Sequence, residues 1–109
     1  MPIFKLKIVS WGLRNMIRGK IEIIFNATFR EITKIRKIIE HINDECTFGE
    51  ILAELARKYA KDFDKVINPQ TGKISNDILV MLNGKGIREI DEKIKNGDVL
   101  LFSLPVGGG

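Results

Sequence analysis

Apolar and polar residues alternate near the start of the chain. In Ile3-Phe4-Lys5-Leu6-Lys7-Ile8-Val9, Phe4, Leu6 and Ile8 share one side and Lys5 and Lys7 the other, which is the two-residue period of a half-buried strand. Ser10–Lys20, with Gly12 and Gly19, reads as a connection to a second strand, Ile21-Glu22-Ile23-Ile24-Phe25, so an antiparallel pair is expected. The period then changes. Between Thr28 and Ile42, Phe29, Ile32, Ile35, Ile38, Ile39 and Ile42 recur at helical spacing, and Thr28 with Glu31 fits a capping box. The same stretch holds five isoleucines, whose β-branched side chains favour strands. Helix and strand both fit it.

A clearer helix covers residues 48 to 60. Thr47 and Glu50 have the spacing of a capping box, and Phe48, Ile51, Leu52, Leu55, Ala56 and Tyr59 form one apolar stripe behind it. Glu54 and Lys58 stand four apart, as a stabilising ion pair requires. Cys46 precedes the cap, where it packs against Ile51 as a hydrophobic staple rather than serving as a reactive thiol. Further on, Asn68-Pro69-Gln70-Thr71-Gly72, Asn83-Gly84 and Asn96-Gly97-Asp98 are turn signals. They bound two short apolar runs, Ile78–Leu82 and Val99–Leu104, that read as strands.

The order is therefore strand, strand, helix, strand and terminal strand. It predicts an α+β fold with one main helix across one face of a mixed sheet over residues 1–104, followed by a flexible tail over 105–109. The last two strands are apolar on both faces. One helix covers only one face, so either the Thr28–Ile42 segment covers the other or that face is a binding surface.

A length of 109 residues suits one domain with one core. A single cysteine, Cys46, excludes an internal disulfide and a cysteine-built zinc site, and a single histidine, His41, leaves little for acid–base catalysis or a metal cluster. The N-terminus lacks the layout of a secretory signal and no apolar run has membrane-spanning length, so a cytoplasmic location without membrane contact is expected. The net charge of +4 and the cluster Arg30, Lys34, Arg36 and Lys37 keep a nucleic-acid-binding module as an alternative of another class. An aromatic content of 7% is low for a base-stacking platform.

The candidate chemistry lies at the end. The apolar run passes directly into Leu104-Pro105-Val106-Gly107-Gly108-Gly109. Glycines lack a Cβ, so such a tail threads a channel too narrow for other residues and delivers a carboxylate. A glycine-rich end also fits a frayed terminus.

The run from Ile94 to Gly109 resembles the end of the β-grasp (ubiquitin-like) sulfur carriers, with a Gly-Asp turn, an apolar strand and a terminal Gly-Gly. It is most similar to the small subunit of molybdopterin synthase, whose Pro-Val-small-Gly-Gly end is matched by Pro105, Val106, Gly107, Gly108 and Gly109; Leu104 stands where many such subunits have a first proline. Ile78–Gly84 and Thr47–Leu52 resemble that family's middle strand and helix start, Ser10–Arg14 loosely resembles the loop after its first strand, and Ile21–Ile42 is longer than the family needs. Ubiquitin-related and small archaeal modifiers share the same fold and ending.

The resemblance implies that this chain is no enzyme and binds no cofactor. An ATP-consuming, ubiquitin-activating-like adenylyltransferase adenylates Gly109, and sulfur then replaces AMP to give a thiocarboxylate. The acceptors implied belong to molybdopterin synthesis, through the synthase large subunit, or to tRNA thiolation. In the modifier branch Gly109 joins a target-protein lysine. Gly107 and Gly108 give access, Pro105 and Val106 set the tail's direction, and Phe102, Leu104 and Leu100 are the expected partner surface.

Overall fold

Every second residue from Ile21 to Phe25 is buried, and this alternation builds the centre of the protein. The computed structural model describes residues 17–43 and 45–104. Its first strand, β1 (Ile17–Phe25), sends Ile21, Ile23 and Phe25 into the core. The strand expected over Ile3–Val9, and with it the N-terminal pair, lies outside the described residues.

The ambiguous Thr28–Ile42 stretch contains one element of each kind. Helix α1 (Ala27–Thr33) is followed by strand β2 (Lys37–Asn43), which runs antiparallel to β1. Lys34 breaks the helix in the left-handed region at φ 66°. The Thr33 hydroxyl, which accepts from the Ile35 N–H at 3.2 Å, consolidates the break. The helix begins two residues earlier than expected, with Asn26 as its N-cap, so Thr28 and Glu31 form no capping box. Together, β1, α1 and β2 account for the length that looked excessive in Ile21–Ile42.

Strand β3 (Glu45–Thr47) leads into α2 (Phe48–Lys58), the main helix. Its capping box forms as expected: Glu50 N–H donates to Thr47 Oγ1 at 3.2 Å and Thr47 N–H to Glu50 Oε1 at 2.9 Å. Cys46 packs against the core from β3. The expected Glu54–Lys58 pair is absent. Glu54 pairs with Arg57, and Lys58 reaches across to Glu40 on β2 at 2.8 Å. After α2, a 3₁₀ segment (Lys61–Val66) inserts Phe63 and Val66 into the core.

The remaining strands are β4 (Leu79–Leu82), β5 (Lys85–Gly86), β6 (Lys93–Lys95) and β7 (Val99–Ser103). Asn83 and Gly84, both at positive φ, make the tight β4–β5 turn. β3 and β6 form a small separate sheet. The main sheet has the order β2-β1-β7-β4-β5, with β7 parallel to β1 and antiparallel to β4. It is a mixed sheet with the main helix packed on one face, as expected. α1 lies on that same face, because Phe29 meets Phe63 and Phe102 there. The segment proposed as cover for the opposite face therefore does not cover it.

Phe102 sits at the centre of the layer between sheet and helices. Its ring lies 5.9 Å from Phe25, 5.5 Å from Phe29, 5.7 Å from Phe48 and 5.7 Å from Phe63. Truncating a ring with contacts on four elements leaves a void those elements cannot fill. Phe102→Ala is expected to cost about 3–5 kcal/mol in urea unfolding, and Leu101→Ala, on the opposite face, clearly less.

Candidate functional site

The candidate site is the C-terminal strand and the place where the chain leaves it. Two turns fix the start of β7. In the first, Gly97 adopts φ +90°, a conformation other residues rarely take, and its N–H donates to Lys20 O at 2.9 Å. Gly19 faces this turn so closely that a Cβ there would lie 2.5 Å from the Asn96 Cβ.

Asp98 completes the turn. It is only 5% exposed, and its carboxylate accepts from the Lys95 N–H at 2.9 Å and from Asn83 Nδ2 at 3.0 Å. Asn83, in the β4–β5 turn, also accepts from the Val99 N–H through Oδ1 at 2.9 Å, and its own N–H donates to Val99 O at 2.8 Å. One asparagine and one aspartate thus join the two turns and set where β7 begins. From there the strand is hydrogen-bonded along both edges, to β1 and to β4. At its far end the Asn26 N–H donates to Phe102 O at 2.9 Å.

The side chains of β7 divide by parity. Leu100 and Phe102 are 0% exposed. They hold the strand from inside and offer no partner surface, which corrects the sequence expectation for both. Leu104, 36% exposed, stands at the surface where the described chain stops. Pro105, Val106, Gly107, Gly108 and Gly109 lie outside the described residues.

The accessible residues of β7 are those of the other parity. Val99, Leu101 and Ser103 are half-buried on the face away from the helices. Register sets Leu101 beside Ile24 and Met81, Ser103 beside Leu79, and Glu22 beside both Val99 and Ile39. The even alternation of Val99–Leu104 contains this division. Which half is inside depends on the side the helices occupy.

The basic cluster does not converge. Arg30 and Lys34 border a shallow open depression on α1 together with Ala27 and Glu31, while Lys37 on β2 pairs with Glu22 at 3.7 Å. Phe25, Phe29, Phe48, Phe63 and Phe102 are buried, so these rings are not available for stacking on bases. Among the described residues, no group of three or more His, Cys, Asp or Glu is placed to hold a metal ion, and no helix is long and apolar enough to cross a membrane.

Comparison with known proteins agrees with this geometry. The ThiS family matches residues 23–109, so the loose resemblance at Ser10–Arg14 falls outside the match. Small archaeal modifier protein 3 of Haloferax volcanii is 28% identical over 93 residues, covering 83% of this chain and 99% of its own length. The crystal structure of SAMP1 from Haloferax volcanii superposes with a TM-score of 0.63 at 26% identity, over 84% of this chain and 100% of that one. A Pyrococcus furiosus protein named as molybdopterin converting factor, subunit 1, shares the fold at a TM-score of 0.66 and 19% identity, over 81% of this chain and 99% of that one. The fold is the β-grasp, ubiquitin-like one, and these relatives are named as small archaeal modifier proteins and a molybdopterin converting factor subunit.

Removing the Asp98 carboxylate leaves the Lys95 amide and the Asn83 side chain without their acceptor. Asp98→Ala is expected to lower stability by about 1–3 kcal/mol, with faster amide hydrogen exchange at Lys95 and Val99 as the local signature.

Proposed function

Because the chain belongs to the ThiS family, we propose that it is a sulfur carrier whose reacting group is the carboxylate of Gly109. The observation carrying this reading is that the family match runs through residue 109 and so includes Pro105-Val106-Gly107-Gly108-Gly109. The strand before that tail ends at an exposed Leu104, with its register locked by Asn83 and Asp98.

A carboxylate with a pKa of about 3.3–3.7 is ionised at neutral pH and resists nucleophiles. A partner adenylyltransferase uses ATP to form the acyl-adenylate and pyrophosphate. With sulfide as donor, the new C–S bond forms as the C–O bond to AMP breaks, and AMP leaves. The product is the Gly109 thiocarboxylate, the sulfur source for a pterin precursor on a molybdopterin synthase large subunit or for a tRNA base. This chain's residues do no chemistry of their own. Gly107 and Gly108 let the tail enter the partner's channel, Pro105 and Val106 direct it, and Leu104 stands at its root.

The similarity to small archaeal modifier protein 3 favours a second reading, in which the same activated glycine is joined to a target-protein lysine. Both readings use one acyl-adenylate and differ in the nucleophile.

Intact-mass measurement after incubation with the activating enzyme, ATP and sulfide checks the proposal. The carrier is expected to gain the mass of one oxygen exchanged for sulfur, and the modifier to appear as lysine-linked adducts when acceptor proteins are added. One extra residue after Gly109 should abolish both products and leave the fold intact. An extended chain that is still adenylated at its end would overturn the reading.

A further inference from the structure

The two turns that fix the start of β7 each contain an Asn-Gly step, Asn83-Gly84 and Asn96-Gly97. Asparagine is a thermally labile residue. A following glycine makes it more so, because no side chain keeps the glycine nitrogen from the asparagine carboxamide. That nitrogen attacks Cγ, its proton leaves with the amide group as ammonia, and a cyclic imide forms. Water then opens the ring to aspartate or isoaspartate. The net reaction consumes one carboxamide and one water and yields one carboxylic acid and one ammonia.

The fold treats the two steps differently. At Asn96 the attacking nitrogen is occupied, since the Gly97 N–H donates to Lys20 O at 2.9 Å. Asn96 Oδ1 in turn accepts from the Lys20 N–H at 3.0 Å, and its side chain packs against Gly19 so closely that a Cβ there would lie 2.5 Å from the Asn96 Cβ. At Asn83 the nitrogen is open. The β4–β5 ladder pairs Leu82 with Lys85 and Met81 with Gly86, and Gly84 stands outside it. Gly84 is exposed at φ +83°, with nothing within 4 Å of where a Cβ would stand. β5 has two residues and ends the sheet, so this turn opens locally at lower cost than a turn bonded to β1.

We propose that Asn83 is a site of spontaneous deamidation and that the change unlocks the start of β7. As an amide, Asn83 donates from Nδ2 to Asp98 Oδ1 at 3.0 Å and accepts the Val99 N–H at Oδ1 at 2.9 Å. As a carboxylate it has no donor for Asp98. Two like charges then face each other across that gap, one of them on a buried side chain. Isoaspartate adds a main-chain carbon to the turn and displaces both bonds. Loss of ammonia makes the change one-way. The inference does not depend on the chemistry at Gly109.

Peptide mapping by mass spectrometry, after ageing the full-length protein at mildly alkaline pH, tests the site. In the folded protein, conversion at Asn83 is expected to run several-fold faster than at Asn96, and in urea the two steps should react alike. Conversion at Asn96 as fast as at Asn83 in the folded protein would overturn the proposal, as would conversion at neither while the unfolded chain reacts. Asn83→Asp tests the unlocking. Amide hydrogen exchange at Lys95 and Val99 should quicken by about tenfold or more. Adding Asp98→Asn exchanges donor and acceptor: the new carboxamide donates across the gap and still accepts from the Lys95 N–H, so slow exchange should return. If Asn83→Asp alone fails to fold, recovery of the fold in the double variant is the same rescue. Unchanged exchange in the single variant, or no rescue in the double one, would show that the Asn83 amide is not what holds the strand.

Discussion

The Phe102 ring is the contact on which the rest of the structure depends. It stands on the strand that leads to the tail and touches phenylalanines of β1, α1, α2 and the 3₁₀ segment. Each neighbouring ring adds about 0.5–1.5 kcal/mol beyond the area it buries. The larger effect is geometric. Close-packed interiors leave few voids, so a ring wedged among four elements fixes their separation. The strand that leads to the tail is thereby firmly held, with partners on both edges and a core on one face, as β1 is.

Hydrogen bonding sets what packing cannot. Hydrophobic burial is indifferent to a slip of two residues along a strand, because parity is preserved. The Asn83–Asp98 pair removes that freedom. A buried carboxylate with two directed donors, joined to an asparagine that closes on Val99 from both sides, tolerates one register. The Gly-Asp turn is therefore a register lock for β7.

The two faces of β7 follow different rules. Leu100 and Phe102 belong to the core, while Val99, Leu101 and Ser103 lie on the face that α1 and α2 leave open. Alternation alone does not say which set faces inward, and the expectation of Phe102 and Leu100 as the partner surface falls on the buried parity. Aromatic size favours the interior, where a large ring meets several elements at once. That signal was present, yet the side on which the helices pack is a property of the assembled chain.

Local signals were legible where the physics is local. Thr47 and Glu50 form their capping box because both bonds close within one helical turn, and Asn83-Gly84 and Asn96-Gly97-Asp98 turn because their backbones need positive φ. The α+β class was readable because short apolar runs between turn signals leave few arrangements, whereas the β-grasp class came from the resemblance of the Gly-Asp turn, apolar strand and Gly-Gly ending to that family. Non-local choices were not readable. Thr28–Ile42 splits into helix and strand because Lys34 turns left-handed and Ile38 and Ile42 then pack against the core from beside β1. Lys58 leaves Glu54 for Glu40 because β2 passes within its reach. The sequence by itself determined the caps, the turns, the alternation of β7 and the glycine ending, each governed by neighbours a few residues away. Tertiary structure alone decided which half of β7 is buried, which face of the sheet α1 and α2 cover and where Leu104 emerges, because those depend on contacts between residues far apart in the chain.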